Sequence, residues 1–192
     1  MKISTLFLLC SLFGLFLWTG CGEDDDPSVI TTLNYDGPND SAPQLPPGTN
    51  IFGVYFPPSQ TERYTGRNLE SVRFYLRRIP EATTVMVAAE GPDERTPGDI
   101  LYSRDLTQRI NLTEWIDDRL PTPIEITGEG LWLMVQVDLA AGESFSVGCD
   151  AGNNFSPNGN LLNLSTENEW TTFQDITGET VNWNIRGILS ED

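Results

Sequence analysis

The residues with the most chemistry to offer stand between Gly148 and Asn160, in the run GCDAGNNFSPNGN. Asp150, Asn153, Asn154, Asn158 and Asn160 supply side-chain oxygens there, and Gly148, Gly152 and Gly159 free the backbone around them. A hard cation such as calcium takes about six to eight oxygens. Asp150, Asn153, Asn158 and Asn160 are therefore the candidate metal ligands. Their spacing departs from the EF-hand pattern, and clusters of Asn, Asp and Gly also form turns on their own account. Both readings stand, with tight turns the plainer one. The run GPDERTPGD at 91–99 repeats the composition more thinly.

Catalysis has few residues to draw on. The chain has no histidine, and Lys2 is its only lysine. Ser-His-Asp and Cys-His machinery, histidine-bearing zinc sites and lysine nucleophiles are all excluded. Cys149 has no base to activate it and reads as a small buried residue at a strand end. No G-x-G-x-x-G or Walker motif occurs. A glycosidase-like carboxylate pair remains, but 28 acids put some pair at every useful spacing and so single out none. Stacking is the third chemistry. Trp115, Phe155 and Trp170 sit in or beside loops, where a ring can meet the apolar face of a sugar. Trp132 and Trp183 lie inside strong strands and read as core.

The elements that must position these groups are strands. From Ile51 onward every periodic segment alternates with a period of two. Ile51–Phe56, Leu69–Ile79 (core face Val72, Phe74, Leu76), Thr83–Ala89 and a strand starting at Ile100 follow one another. Ile110–Trp115 reads as a strand or a helical turn, and Pro121–Ile126 as an edge strand. Leu131–Val137 is apolar on both faces and reads as a central strand. Phe145–Val147, Leu161–Leu164, Trp170–Phe173 and Val181–Leu189 complete the set. Short strands, turn-rich joints and no convincing helix predict an all-β domain. The expected form is a two-sheet antiparallel sandwich with jelly-roll-like crossing.

The N-terminus sets the expected address. Lys2 is followed by an apolar run from Ile3 to Trp18, then Thr19-Gly20-Cys21. That run is shorter than the roughly 20 residues of a spanning helix. It resembles a bacterial lipoprotein signal, which implies cleavage after residue 20 and lipidation of Cys21. Two acyl chains anchor stably where one does not. The acidic run GEDDDP that follows resembles the surface-export signal of Bacteroidetes lipoproteins. The outer membrane is the expected location, with cell-surface exposure implied by that run; an acidic spacer without a sorting role is the alternative. Residues 21–50 are rich in Pro, Asp, Asn and Gly and read as a tether, with Val29–Leu33 as a candidate edge strand. The sandwich domain is expected over 51–192.

Without residues 1–20 the chain carries ten arginines against 28 acids, a formal charge of −18. A surface this negative repels nucleic acid, so no such partner is expected. Acidity without lysine is also the composition of a protein adapted to high salt, where screening relieves self-repulsion. With only Cys21 and Cys149 left, no disulfide forms within the domain.

LWLMVQVD, GCDAGNNFSPNGNLL, EW and VNWNIRGIL, in that order, resemble a domain recurring in secreted and surface proteins of Bacteroidetes. SVRFYL, GDILYSRDL and the Trp115–Ile126 stretch also fit its order, so the likeness spans about 51–190. Asn153 stands where the family has proline after DAG, and Pro157–Asn160 matches its turn without the lysine. The resemblance implies a β-sandwich accessory or adhesion-like module with no catalytic residues to carry over. The expectation is then a membrane-anchored lipoprotein with a binding module for a glycan or a surface protein. A structural envelope component and a carboxylate-dependent glycoside-active enzyme are the alternatives. Calcium is the one cofactor the sequence raises.

Overall fold

The computed structural model describes residues 31–142, 145–167 and 169–191. The signal segment, Cys21 and the acidic run after it lie outside the described residues. Within them the chain forms ten strands. They are β1 (Thr32–Leu33), β2 (Gly48–Phe56), β3 (Asn68–Tyr75), β4 (Ala82–Ala89), β5 (Ile100–Asp105), β6 (Trp115–Glu125), β7 (Leu131–Leu139), β8 (Leu161–Asn163), β9 (Trp170–Thr172) and β10 (Ile185–Leu189). All named pairings are antiparallel. One sheet runs β1-β10-β3-β6 and the other β5-β4-β7-β2-β8-β9. This is the two-sheet, jelly-roll-like sandwich that the alternation predicts.

Alternation places the core. Val72, Phe74 and Leu76 of the β3 segment are fully buried, as are Leu133, Val135 and Val137 of β7. Each such side chain contributes about 1.5–3 kcal/mol relative to exposure. The other face of β7 is buried too: Trp132 and Met134 pack with Tyr55, Ala88 and Leu161, half-covered by Trp170. A strand between β4 and β2 with both faces covered is what the doubly apolar sequence of Leu131–Val137 requires. Trp132 and Trp183 are core residues, each 0% exposed.

Three expectations are corrected. The first is the extent of the tether. Thr32–Leu33 pairs with β10 as an edge strand, but the chain does not leave the domain after it. Leu33, Asp36, Ala42, Leu45 and Asn50 are buried, and β2 begins at Gly48, not Ile51. The second is the division of residues 110–126. A single strand, β6, covers Trp115–Glu125, and its pairing with β3 slips between Leu69 and Ser71, opposite the segment that holds Pro121 and Pro123. Proline cannot donate to a ladder, so it sits at this irregularity on an edge strand. The third concerns helix. Two single turns form, α1 (Pro58–Thr61) and α2 (Phe173–Thr177). Thr172 caps α2 by accepting from the Asp175 N–H at 2.9 Å.

Candidate functional site

The 148–160 loop is built by hydrogen bonds from the carboxylate of Asp150. Its Oδ1 accepts from the N–H groups of Gly152 (2.9 Å) and Asn182 (2.8 Å). Its Oδ2 accepts from the Gly37 N–H and the Asn182 side-chain amide, each at 3.0 Å. Burial acts to raise the Asp150 carboxyl, but the Asn182, Gly37 and Gly152 donors outweigh it and hold it below the ordinary carboxylate value. Four N–H donors match the roughly four lone-pair sites of a carboxylate. Asp150 is therefore a structural acceptor with no lone pair left over for a cation.

The other proposed ligands disperse. Asn153 and Asn154 line a polar depression of about 260 Å³ with Asp40 and Asp150, but neither Asn158 nor Asn160 lines it. Asn158 belongs to a 3-10 turn, Pro157–Gly159, in which the Ser156 hydroxyl accepts from the Asn158 N–H at 3.3 Å, and Asn160 is 0% exposed. Among the described residues, no group of three or more His, Cys, Asp or Glu could hold a metal. Hydrogen bonds from the Gly152 N–H to Asp150 and from the Asn158 N–H to Ser156 close tight turns within the loop. Gly152 stands in the first of them. Its φ is +70°, and an added Cβ would strike the Thr180 carbonyl oxygen.

The residues of the terminal NWNIRG run are the loop's partners. Asn182 meets Asp150, and the Trp183 Nε1–H donates to the Leu161 carbonyl at 2.8 Å. Asn184 donates to Asp36 at 2.7 Å, and Arg186 reaches the same buried carboxylate through Nε and Nη2 at 2.7–3.0 Å. The sequence held no sign of Asp36, because its neighbours Asn34, Gly37 and Pro38 look like linker. Cys149, 2% exposed, lies between these segments. Burial pushes its thiol up, and its near neighbour is the Ser41 hydroxyl at 3.4 Å.

The three loop aromatics have different fates. Trp115 has the Arg186 guanidinium over its ring at 4.2 Å and that of Arg73 at 5.4 Å, with Tyr75 edge-on at 5.7 Å. Cation–π contacts of this kind occupy the face a sugar would need. Phe155 is half-buried in the loop. Trp170 differs, because it lines an open depression of about 660 Å³ with Asp93, Glu94, Arg95, Thr96 and Glu169.

That depression brings the 91–99 loop and Trp170 together, two stretches the sequence offered separately and for different reasons. Both walls are braced. The Asp93 Oδ1 accepts from the Arg95 N–H at 2.9 Å, and the loop closes onto β4 through Gly98 N–H to Ala89 O at 3.0 Å. Arg95 forms an ion pair with Asp175 of α2 at 2.7 Å, tying the loop to the segment that follows Trp170. The Asp175 carboxyl is held below its usual value, first by that Arg95 bond and then by the Thr172 hydroxyl. Trp170 leans on Trp132 with ring centroids 5.2 Å apart. It also rests on Gly53, where an added Cβ would come within 2.8 Å of the Trp170 ring. The result is a half-exposed indole on a rigid floor, ringed by three carboxylates and one guanidinium.

No family model and no curated protein matches the chain. Among solved structures, the fold is similar to that of the cysteine protease and lectin-like domains of Cwp84, a surface layer associated protein of Clostridium difficile. The TM-score is 0.51 at 14% sequence identity, over 76% of this chain and 32% of that one. At that identity the likeness is one of fold.

Proposed function

We propose that this chain is a lipid-anchored surface module that binds sugar without cleaving it, and that the Trp170 depression is its site. The observation that carries this is the convergence of Trp170 with Asp93, Glu94, Arg95 and Glu169 around one open depression. A sugar ring would lie on the indole while the carboxylates accept its hydroxyls. Three acids against one arginine, itself paired with Asp175, favour a neutral or amino sugar over an acidic one. At about −0.3 kcal/mol per heavy atom, one sugar ring gains about −4 kcal/mol, a dissociation constant on the order of 1 mM. Binding this weak suits many copies on a surface, where avidity multiplies it. The fold's likeness to a structure that includes a lectin-like domain supports the same reading.

The lipoprotein signal, the acidic run after Cys21 and the DAG and NWNI-R-G motifs support treating the chain as one of the Bacteroidetes-type surface sandwich domains. Lipidated Cys21 would hold it at the outer membrane. Cys21→Ala should release the protein from the membrane fraction; a variant that stays there would sink the anchor. Titration of the chain with neutral and amino sugars, followed by amide NMR, tests the site. Saturable shifts at 93–96 and 169–171 are expected, and their absence for every sugar would end the proposal. Release of free sugar from a bound glycan would instead favour the glycoside-active reading, since the same carboxylates ring the depression.

A further inference from the structure

Just beyond β3 the chain carries two adjacent exposed arginines, Arg77 and Arg78. Arg73, Arg95, Arg104 and Arg186 each face an aspartate, whereas neither Arg77 nor Arg78 forms an ion pair among the described residues. Both line one depression of about 260 Å³ with Ser41, Ala42 and Phe145. On a chain of formal charge −17, this is a local inversion of sign.

The backbone under these side chains is fixed. The Arg77 N–H donates to the Ser146 carbonyl at 2.6 Å, and Leu76 bridges to Val147. Gln44 bridges to Phe145 and Ser41 to Cys149. Three segments are laced into one seam, which fixes the backbone from which the two guanidiniums extend. Guanidinium forks match the planar oxygens of a carboxylate or the edge of a phosphate. Beside them Phe145 is half-buried and offers an apolar surface, and Ser41 is an exposed residue whose hydroxyl lies 3.4 Å from the Cys149 thiol. The volume falls below the roughly 300–1,000 Å³ of drug-sized sites and suits one sugar residue.

We infer that the Arg77–Arg78 depression binds a sugar acid, meaning a sugar bearing a carboxylate or phosphate. The oxyanion takes the guanidiniums, the ring lies against Phe145, and Ser41 meets a hydroxyl. This site is separate from the Trp170 depression in residues and opposite in charge, and it stands whether or not that one binds sugar.

The test is amide NMR on the chain produced from residue 21 with Cys21→Ser, titrated with glucuronate, glucose 6-phosphate, inorganic phosphate and glucose. Glucuronate, glucose 6-phosphate or both should give saturable shifts at Ser41, Arg77, Arg78, Phe145 and Ser146. The two arms separate a carboxylate from a phosphate source. Glucose should be silent there, and inorganic phosphate should bind more weakly than the sugar acid. Arg77→Ala with Arg78→Ala should weaken binding about tenfold or more, while Trp170→Ala leaves it unchanged. No saturable shift with either sugar acid would overturn the assignment. So would equal binding of glucose or inorganic phosphate, or binding that survives loss of both arginines in a variant whose spectrum remains folded.

Discussion

Asp150 and Asn182, 32 residues apart, clasp each other through three hydrogen bonds. The Asn182 backbone N–H and side-chain amide donate to the Asp150 carboxylate at 2.8 and 3.0 Å, and the Asp150 N–H donates to the Asn182 carbonyl at 3.0 Å. The two motifs that look most like a signature, DAG and NWN, are thus halves of one clasp. Its role is to fasten the long loop to the segment that leads into β10.

Removing one half should destabilise the fold without touching a ligand. Asp150→Ala would leave the N–H groups of Asn182, Gly37 and Gly152 without their acceptor. A cost of about 3 kcal/mol is expected, or roughly a 10 °C fall in melting temperature. Because the folded carboxyl is depressed, its stabilisation is present above the unfolded value near 3.9 and fades as pH falls through the folded value. Acid unfolding of wild type and variant should therefore converge at low pH, as circular dichroism would record. A gap that persists undiminished would contradict this.

Calcium should do nothing to that loop. At constant ionic strength, neither calcium nor chelator is expected to shift the melting temperature, since donors already fill the Asp150 lone pairs. Sodium chloride alone should raise it by screening the self-repulsion of a chain this acidic. Scanning fluorimetry separates the two effects, and a rise specific to calcium would restore the metal reading.

Two glycines with positive φ should respond differently to alanine. Gly66 has a φ of +89° and open space where a Cβ would go, so Gly66→Ala should cost only the left-handed strain, about 1 kcal/mol. Gly152→Ala adds a collision with the Thr180 carbonyl and should cost more. Equal losses in denaturant unfolding would argue that the loop simply moves aside.

The domain should depend on residues that look like linker. A chain starting at residue 31 keeps β1 and Asp36, whereas one starting at 48 leaves Arg186 and Asn184 without their buried carboxylate. The shorter chain should melt well below the longer one. Equal melting would return residues 31–47 to the tether.

That segment also marks where sequence reading stops. Leu131–Val137 discloses a doubly buried strand because one element carries the whole pattern. Leu33, Asp36 and Leu45 are buried among prolines and asparagines, with no period to reveal them, and only long-range partners such as Arg186 explain them. The prolines of β6 look like an interruption, yet the strand absorbs them at a register shift on the sheet edge. Trp170 was legible as a loop aromatic, but its neighbours at 93–96 are more than seventy residues away in the chain. Spacing along a sequence has no means of joining them.

The most direct test of the sugar site is a glycan array probed in parallel with wild type, Trp170→Ala and the gentler Asp93→Asn with Glu169→Gln. The account predicts that wild type retains neutral or amino sugars, and that both variants lose them while their melting curves still show a folded domain. Retention of the same glycans by both variants would contradict it.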